Sequence, residues 1–152
     1  MNLPPNPSRR ILVVDDEPSV CHSVRLVLLR AGYEVNTAWS SVEALAILSK
    51  ERHDLVVTDF TMPGMKGDEL SEVIKQRWPE TSVVMLTACA VNLRAAHLPL
   101  LSVDALLDKP FELDELRTTI EKVLADNEPS LYFPNDPAFQ AAQSVGRLKQ
   151  CR

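Results

Sequence analysis

Residues 10–32 read RILVVDDEPSVCHSVRLVLLRAG, and this stretch decides the fold. It opens on an apolar run that stops abruptly at Asp15 and Asp16, as a strand buried on both faces does. From Pro18 onward the apolar residues have the spacing of one helix face, and Gly32 stands where a helix commonly ends. The stretch therefore predicts a β-strand followed directly by an α-helix.

The same pair of elements recurs along the chain. Four further strands are predicted, at residues 33–38, 55–58, 83–86 and 105–107. Helices are predicted after them, at residues 40–48, 70–78, 88–97 and 113–124, the third of these from its composition alone. Ser40 and Glu43 have the spacing of a capping box at a helix start.

Five βα units predict an α/β fold, (βα)5, with a parallel sheet, because right-handed crossovers place a helix over one face after each strand. An open, doubly wound sheet of strand order 2-1-3-4-5 is the economical arrangement, since a closed barrel would need eight units. We expect a disordered lead at residues 1–8, one folded domain at 9–126 and a tail at 127–152 with at most one short helix and no effector domain. A linker and a segment that docks on the domain, a second copy or a partner are equal alternatives for the tail.

Composition narrows the classes of function. The chain has 152 residues, of which 45% are hydrophobic and 24% charged, and this suits a single globular domain. The formal net charge of −5 argues against direct binding of nucleic acid or anionic lipid. No apolar run has the ~20 residues of a membrane span, so a cytoplasmic location is expected. Three widely spaced cysteines without a CxxC pair indicate neither a disulfide framework nor a zinc site.

Polar side chains follow the predicted strands at the points where the strands end. Asp15 and Asp16 follow the first strand, Asp59 the third, Thr87 the fourth and Lys109 the fifth. Each of them alone has an ordinary explanation, such as a helix cap or a solvated lysine. Together they would meet at one edge of the sheet, where ligands bind in folds of this type.

This set of groups indicates phosphoryl chemistry. Clustered carboxylates repel one another and recruit a cation, and an all-oxygen site with open positions suits Mg²⁺. A metal ion and a lysine beside one carboxylate are the equipment for phosphoryl transfer, with the carboxylate itself as a nucleophile.

The motifs at these strand ends resemble those of the receiver domains of bacterial two-component response regulators. The resemblance covers about residues 9–126 and rests on four segments: ILVVDDEP at 11–18, DFTMPGMKG at 59–67, LTA at 86–88 and KPF at 109–111. It implies the flavodoxin-like version of the predicted fold.

The resemblance also implies a role for each residue of the site. Asp59 would accept a phosphoryl group from the phosphohistidine of a sensor histidine kinase or a phosphotransfer protein. Asp16, Asp59 and the backbone carbonyl of Thr61 would ligate Mg²⁺, and Asp15 would hold it mainly through water. Lys109 would pair with the phosphoryl oxygens, and the peptide bond after it, before a proline, would be cis.

Switching is implied to involve the hydroxyl of Thr87, which would move to bond the phosphoryl group. In the family, the residue three positions before the lysine is aromatic and then turns inward. This chain has Leu106 at that position. We therefore expect coupling to rely more on displacement of the loop after the fourth strand. Thr61 and Cys89 lie at positions that tune the lifetime of the acyl phosphate in the family.

Three functions remain open at this point. One is a stand-alone receiver whose output is contact with a downstream protein target or a second copy of itself. Another is a phosphorelay intermediate or phosphate sink. The third is a metal-dependent phosphohydrolase with an aspartate nucleophile, and against it stands Thr61 where that enzyme class has a second aspartate. No enzymatic activity beyond slow self-dephosphorylation is expected for the first two.

Overall fold

The computed structural model describes residues 8–88 and 102–126. The elements within these ranges are β1 (Arg10–Val14), α1 (Pro18–Arg30), β2 (Glu34–Ala38), α2 (Ser41–Lys50), β3 (Leu55–Asp59), α3 (Gly67–Arg77), β4 (Ser82–Thr87), β5 (Ala105–Asp108) and α4 (Leu113–Asp126). The helix predicted at 88–97, apart from its first residue, lies outside the described residues. So do the tail at 127–152 and all but the last residue of the predicted lead.

The five strands form one parallel sheet with the order β2-β1-β3-β4-β5, which confirms the predicted topology. β1 lies between β2 and β3, and β4 lies between β3 and β5. Every residue of β3 and β4 is buried, because helices cover both faces of the middle of the sheet. Strand order reverses next to β1, and this places a crevice at the carboxyl ends of β1 and β3.

Alternate residues of the apolar strands supply two separate cores. One core lies between the sheet and the helices α1 and α4, and its buried members include Val13, Val57, Leu28 and Ile120. The other lies on the opposite face under α2 and α3, and its members include Leu12, Val56 and Ile74. The period of two along each strand thus fixes which side chains face which pair of helices.

The start of α2 and the end of α1 follow the signals in the sequence, except that the acidic residue of the capping box bonds the residue before the cap. The backbone N–H of Glu43 donates to the Ser40 hydroxyl over 3.1 Å, as the capping box predicts. The carboxylate of Glu43 accepts from the N–H of Trp39, one residue before the cap, over 3.0 Å. Gly32 has a positive φ of 95° just past α1, a conformation that favours glycine.

Within the described part of the chain, no helix is both long enough and apolar enough to cross a bilayer.

Candidate functional site

Four strand ends bring the predicted site residues to one rim of the sheet. The registers pair Val14 of β1 with Thr58 of β3, and Asp59 with Leu86 of β4. One residue further along, Thr87 pairs with Asp108 of β5. Because the strands are parallel, the residues that follow these pairs emerge at the same edge.

Three carboxylates converge at this rim. One carboxylate oxygen from each of Asp15, Asp16 and Asp59 lies within 4.8 Å of the others. Asp15 is buried, Asp59 is 8% exposed, and Asp16 is exposed. The cluster therefore has a closed side at Asp15 and an open side at Asp16, from which a ligand can approach.

Lys109 supplies the positive charge that the sequence predicted for this cluster. Its Nζ lies 3.1 Å from Oδ1 of Asp59 and 3.5 Å from Oδ2 of Asp15. Partial burial alone would lower the pKa of Lys109, but the hydrogen bond to Asp59 and the two carboxylate charges outweigh it and raise the pKa above its usual value. The ammonium therefore stays charged at neutral pH.

Asp15 is held in a fixed orientation inside the cluster. Its Oδ1 accepts the backbone N–H of Glu17 over 2.9 Å, while Oδ2 faces Lys109. Burial raises the pKa of this carboxyl, and the Glu17 N–H and the Lys109 charge only partly oppose the shift. Asp15 is also the most buried of the three acidic residues.

The donor set fits a hard divalent cation. When fully ionised, the three carboxylates carry two more negative charges than Lys109 neutralises. All three candidate ligands offer oxygen, which Mg²⁺ prefers, and the exposure of Asp16 leaves room for the waters that Mg²⁺ retains. Asp15, Asp16 and Asp59 therefore satisfy the charge and the chemistry of a magnesium site.

The loop between β3 and α3 is tightly closed beside Asp59. The N–H of Phe60 donates to the carbonyl of Leu86 over 2.9 Å, and the N–H of Gly67 donates back to the carbonyl of Phe60 over 3.0 Å. Met62 is 4% exposed and fills the core under α2 and α3. A Cβ at Gly67 would collide with the backbone carbonyl oxygen of Asp59. Glycine is therefore required here for close approach of two backbones.

The loop makes a second contact that the sequence did not predict. The hydroxyl of Ser41, at the start of α2, donates to the backbone carbonyl of Met65 over 2.8 Å, and Ser41 is 2% exposed. The hydroxyl-bearing residue at a buried helix start was the available signal in the sequence, but its partner lies 24 residues away.

The other predicted residues occupy the following places. Thr87 is buried at the end of β4, and its backbone carbonyl accepts the N–H of Lys109 over 2.8 Å. Leu106 is partly buried on β5 and packs against the same core as Phe60. The side chain of Thr61 is exposed in the loop after Asp59.

Two further predictions from the resemblance have different outcomes. The peptide bond between Lys109 and Pro110 is cis, as predicted. Cys89 lies outside the described residues, so its predicted place near the site stays a prediction.

Comparison with known proteins gives a consistent result. The sequence model of the response regulator receiver domain matches residues 11–121. The response regulator MprA of Mycobacterium sp. (strain KMS) is 37% identical over 131 residues, which are 86% of this chain and 56% of that protein. MprA of Mycobacterium leprae is 36% identical over 140 residues, or 91% of this chain and 59% of that protein. The chain thus spans little more than half the length of these relatives.

Solved structures give the same picture. The response regulator TrrA of Thermotoga maritima, in complex with Mg²⁺-BeF, has a TM-score of 0.69 and 34% identity, and the match covers 76% of this chain and 98% of that one. The chemotaxis protein CheY4 of Vibrio cholerae has a TM-score of 0.71 and 32% identity over 76% of this chain and 98% of that one. The fold of these proteins and the fold described above are alike.

Proposed function

The chain belongs to the response regulator receiver domain family of two-component systems, and we propose on that basis that residues 9–126 act as a phosphoacceptor switch with Asp59 as the acceptor. The observation that carries this proposal is the position of Asp59. Its carboxylate lies between a lysine ammonium at 3.1 Å and two further carboxylates that suit a cation.

The chemistry assigned to Asp59 is nucleophilic attack on phosphorus. One carboxylate oxygen forms the new P–O bond while the P–N bond of a donor phosphohistidine breaks, and the imidazole keeps the electron pair and takes up a proton. Lys109, already in contact with Oδ1 of Asp59, is placed to follow the negative charge onto a phosphoryl oxygen. Asp15 orients that lysine from the other side.

Mg²⁺ would be held by Asp16, by Asp59 and by the backbone carbonyl of Thr61, with Asp15 acting mainly through water. When bound, the ion supplies neutralisation of the phosphoryl oxygens during transfer. The Mg²⁺-BeF complex of TrrA, a protein 34% identical to this chain, supports the choice of Mg²⁺ as the cation.

Switching is assigned to Thr87 and to the residues that follow it. A phosphoryl group on Asp59 carries about −1.5 to −2 charge at neutral pH and replaces the single negative charge of the carboxylate, and the Thr87 hydroxyl can donate a hydrogen bond to it. Leu106, without a ring or hydroxyl, can fill vacated space but presents the same surface in both states. Leu106→Ala is therefore expected to leave both phosphorylation of Asp59 and partner discrimination largely intact. If it abolished partner discrimination while Asp59 was still labelled, this assignment would be wrong.

The partners proposed are a sensor histidine kinase or phosphotransfer protein upstream and a protein target downstream, in the cytoplasm. A relay or phosphate-sink role shares the same site chemistry and is the second candidate. A phosphohydrolase is disfavoured by Thr61, which cannot act as a general acid at its position two residues after Asp59.

The test is to incubate the protein with Mg²⁺ and acetyl phosphate and to measure its intact mass. We expect one phosphoryl group per chain in the wild type and in Asp108→Asn, which removes an exposed carboxylate next to Lys109, but none in Asp59→Asn. A label that persists in Asp59→Asn would refute the assignment. Release of more than one equivalent of phosphate per chain from a small phosphomonoester would favour the hydrolase instead.

A further inference from the structure

The loop that follows Asp59 is anchored unevenly. Its first limb is held by the Phe60–Leu86 hydrogen bond and by the buried Met62. Its last limb, residues 63–66, runs along the surface, with Gly64 at a positive φ of 78°. The hydroxyl of Ser41, on α2, donates a hydrogen bond to this limb from outside the loop and α3.

Ser41 lies close in the chain to the strand end that holds the backbone of Asp15. Ser41 begins α2 directly after the end of β2. At that end the carbonyl of Ala38 accepts the backbone N–H of Asp15 over 3.1 Å. The hydroxyl therefore ties the carbonyl of Met65 to the start of α2, three residues after the Ala38 carbonyl that accepts the N–H of Asp15.

The burial of Ser41 supports a specific role for its hydroxyl. At 2% exposure, a hydroxyl without a partner would cost free energy, whereas alanine is tolerated at the fully buried position 44 of the same helix. The helix already has its cap in Ser40. The Ser41 hydroxyl is thus not needed to start α2, and its single bond is directed at the loop.

From this geometry we propose that Ser41 is a positioning residue for the phosphoacceptor loop. It restrains residues 63–66, which continue the loop from Thr61 to Gly67, and so narrows the range of positions open to the Thr61 carbonyl, the third ligand of the proposed magnesium site. The inference deepens the proposed function, and rests on it for the role of the Thr61 carbonyl. Without the hydroxyl, the folded domain persists but its loop samples more conformations, so a cation finds its ligands less well arranged.

The variant is Ser41→Ala, and the matched control is Thr81→Val. Thr81 is also buried, and its hydroxyl also donates to a backbone carbonyl, that of His53, over 3.0 Å. This control lies at the other end of the sheet, before β4. Both changes remove one buried hydroxyl bond, so they separate loss of stability from loss of positioning.

Two measurements on the unphosphorylated protein decide the matter. Calorimetric titration with Mg²⁺ is expected to give a dissociation constant about threefold to tenfold higher for Ser41→Ala, the ratio that one hydrogen bond supports. In metal-free protein, amide hydrogen exchange of residues 61, 62 and 64–66 is expected to quicken by a similar ratio. Thr81→Val should match the wild type in both measurements while losing comparable stability in urea.

Unchanged exchange and unchanged Mg²⁺ affinity in Ser41→Ala would overturn the proposal, as would equal changes in Thr81→Val. The outcome is separable from that of the proposed function. If the wild type accepts no phosphoryl group but Ser41→Ala still loosens the loop, the positioning role stands and the acceptor role fails. If the wild type is labelled at Asp59 and Ser41→Ala behaves as the wild type, the reverse holds.

Discussion

Gly67 offers a sharp test of how closely the end of β3 and the start of α3 must approach each other. The substitution Gly67→Ala places a methyl group against the backbone carbonyl of Asp59, with the Cα of Phe60 at 3.0 Å. These neighbours are backbone atoms, so they cannot move aside as the end of a flexible side chain can. Either α3 or the end of β3 must shift by roughly an ångström to restore ordinary contact.

Two effects of different size follow from that shift. Overpacking of this kind costs about 1–3 kcal/mol of unfolding free energy, against which alanine recovers about 0.4–1 kcal/mol by restricting the unfolded chain. The net loss of stability is therefore modest. Misplacement of a reacting group by about 1 Å can slow a reaction by about 100-fold, so labelling of Asp59 should suffer far more than folding.

The assay compares the initial rate of labelling by acetyl phosphate with the free energy of unfolding in urea. Gly32→Ala is the matched control, because Gly32 has a φ of 95° and no heavy atom within 4 Å of its would-be Cβ. That control should lose about 1–2 kcal/mol of stability from backbone strain and keep the wild-type labelling rate. A Gly67→Ala variant that is labelled as fast as the wild type, or a Gly32→Ala variant that is slowed as much, would refute the reasoning.

Three further outcomes are expected. Asp16→Asn relieves repulsion among carboxylates that lie within 4.8 Å of one another. Urea unfolding should therefore show that the metal-free variant is more stable than the wild type by roughly 1 kcal/mol, and that Mg²⁺ stabilises the variant less than the wild type. A metal-free variant less stable than the wild type would contradict this. Burial, and to a smaller extent the charge of Asp15, raises the pKa of the Cys21 thiol from 9.0 to about 11. The test uses a protein in which Cys89 and Cys151 are changed to serine. A thiol reagent at pH 8 should react with Cys21 about 100-fold more slowly in the folded chain than in the urea-unfolded chain. Equal reaction rates in the folded and the urea-unfolded chain would contradict a raised pKa for Cys21. Burial lowers the pKa of His53, so the unfolded chain takes up a proton at a higher pH than the folded one, and unfolding free energy should fall between about pH 7.5 and pH 5.5. His53→Gln should lose less over the same interval, and an equal loss would show that His53 does not contribute.

The strand order and the convergence of the site residues could be predicted because both depend on short-range patterns. Apolar runs that end in a polar residue mark strands buried on two faces, and parallel topology then requires their ends to meet. Asp59 and Lys109 are in contact for this reason, although no local feature relates them.

The details that escaped prediction depend on contacts between distant backbones. Ser41 resembles any residue at a helix start, and only the position of Met65 reveals its bond. Cys21 was considered only for disulfide and zinc chemistry, yet it is buried on α1 with its thiol against the carbonyl of Asp15 over 3.3 Å.

The hydrogen bond between Lys109 and Asp15 joins residues 94 positions apart, and this has a consequence for the protein during its synthesis. A nascent chain that has left the ribosome only as far as β4 already carries the acidic trio but has no ammonium to balance it. In such a chain the repulsion among these three carboxylates would not be offset by Lys109. The charges at this rim are therefore balanced only once β5 has taken its place in the sheet and Lys109 faces Asp15 and Asp59.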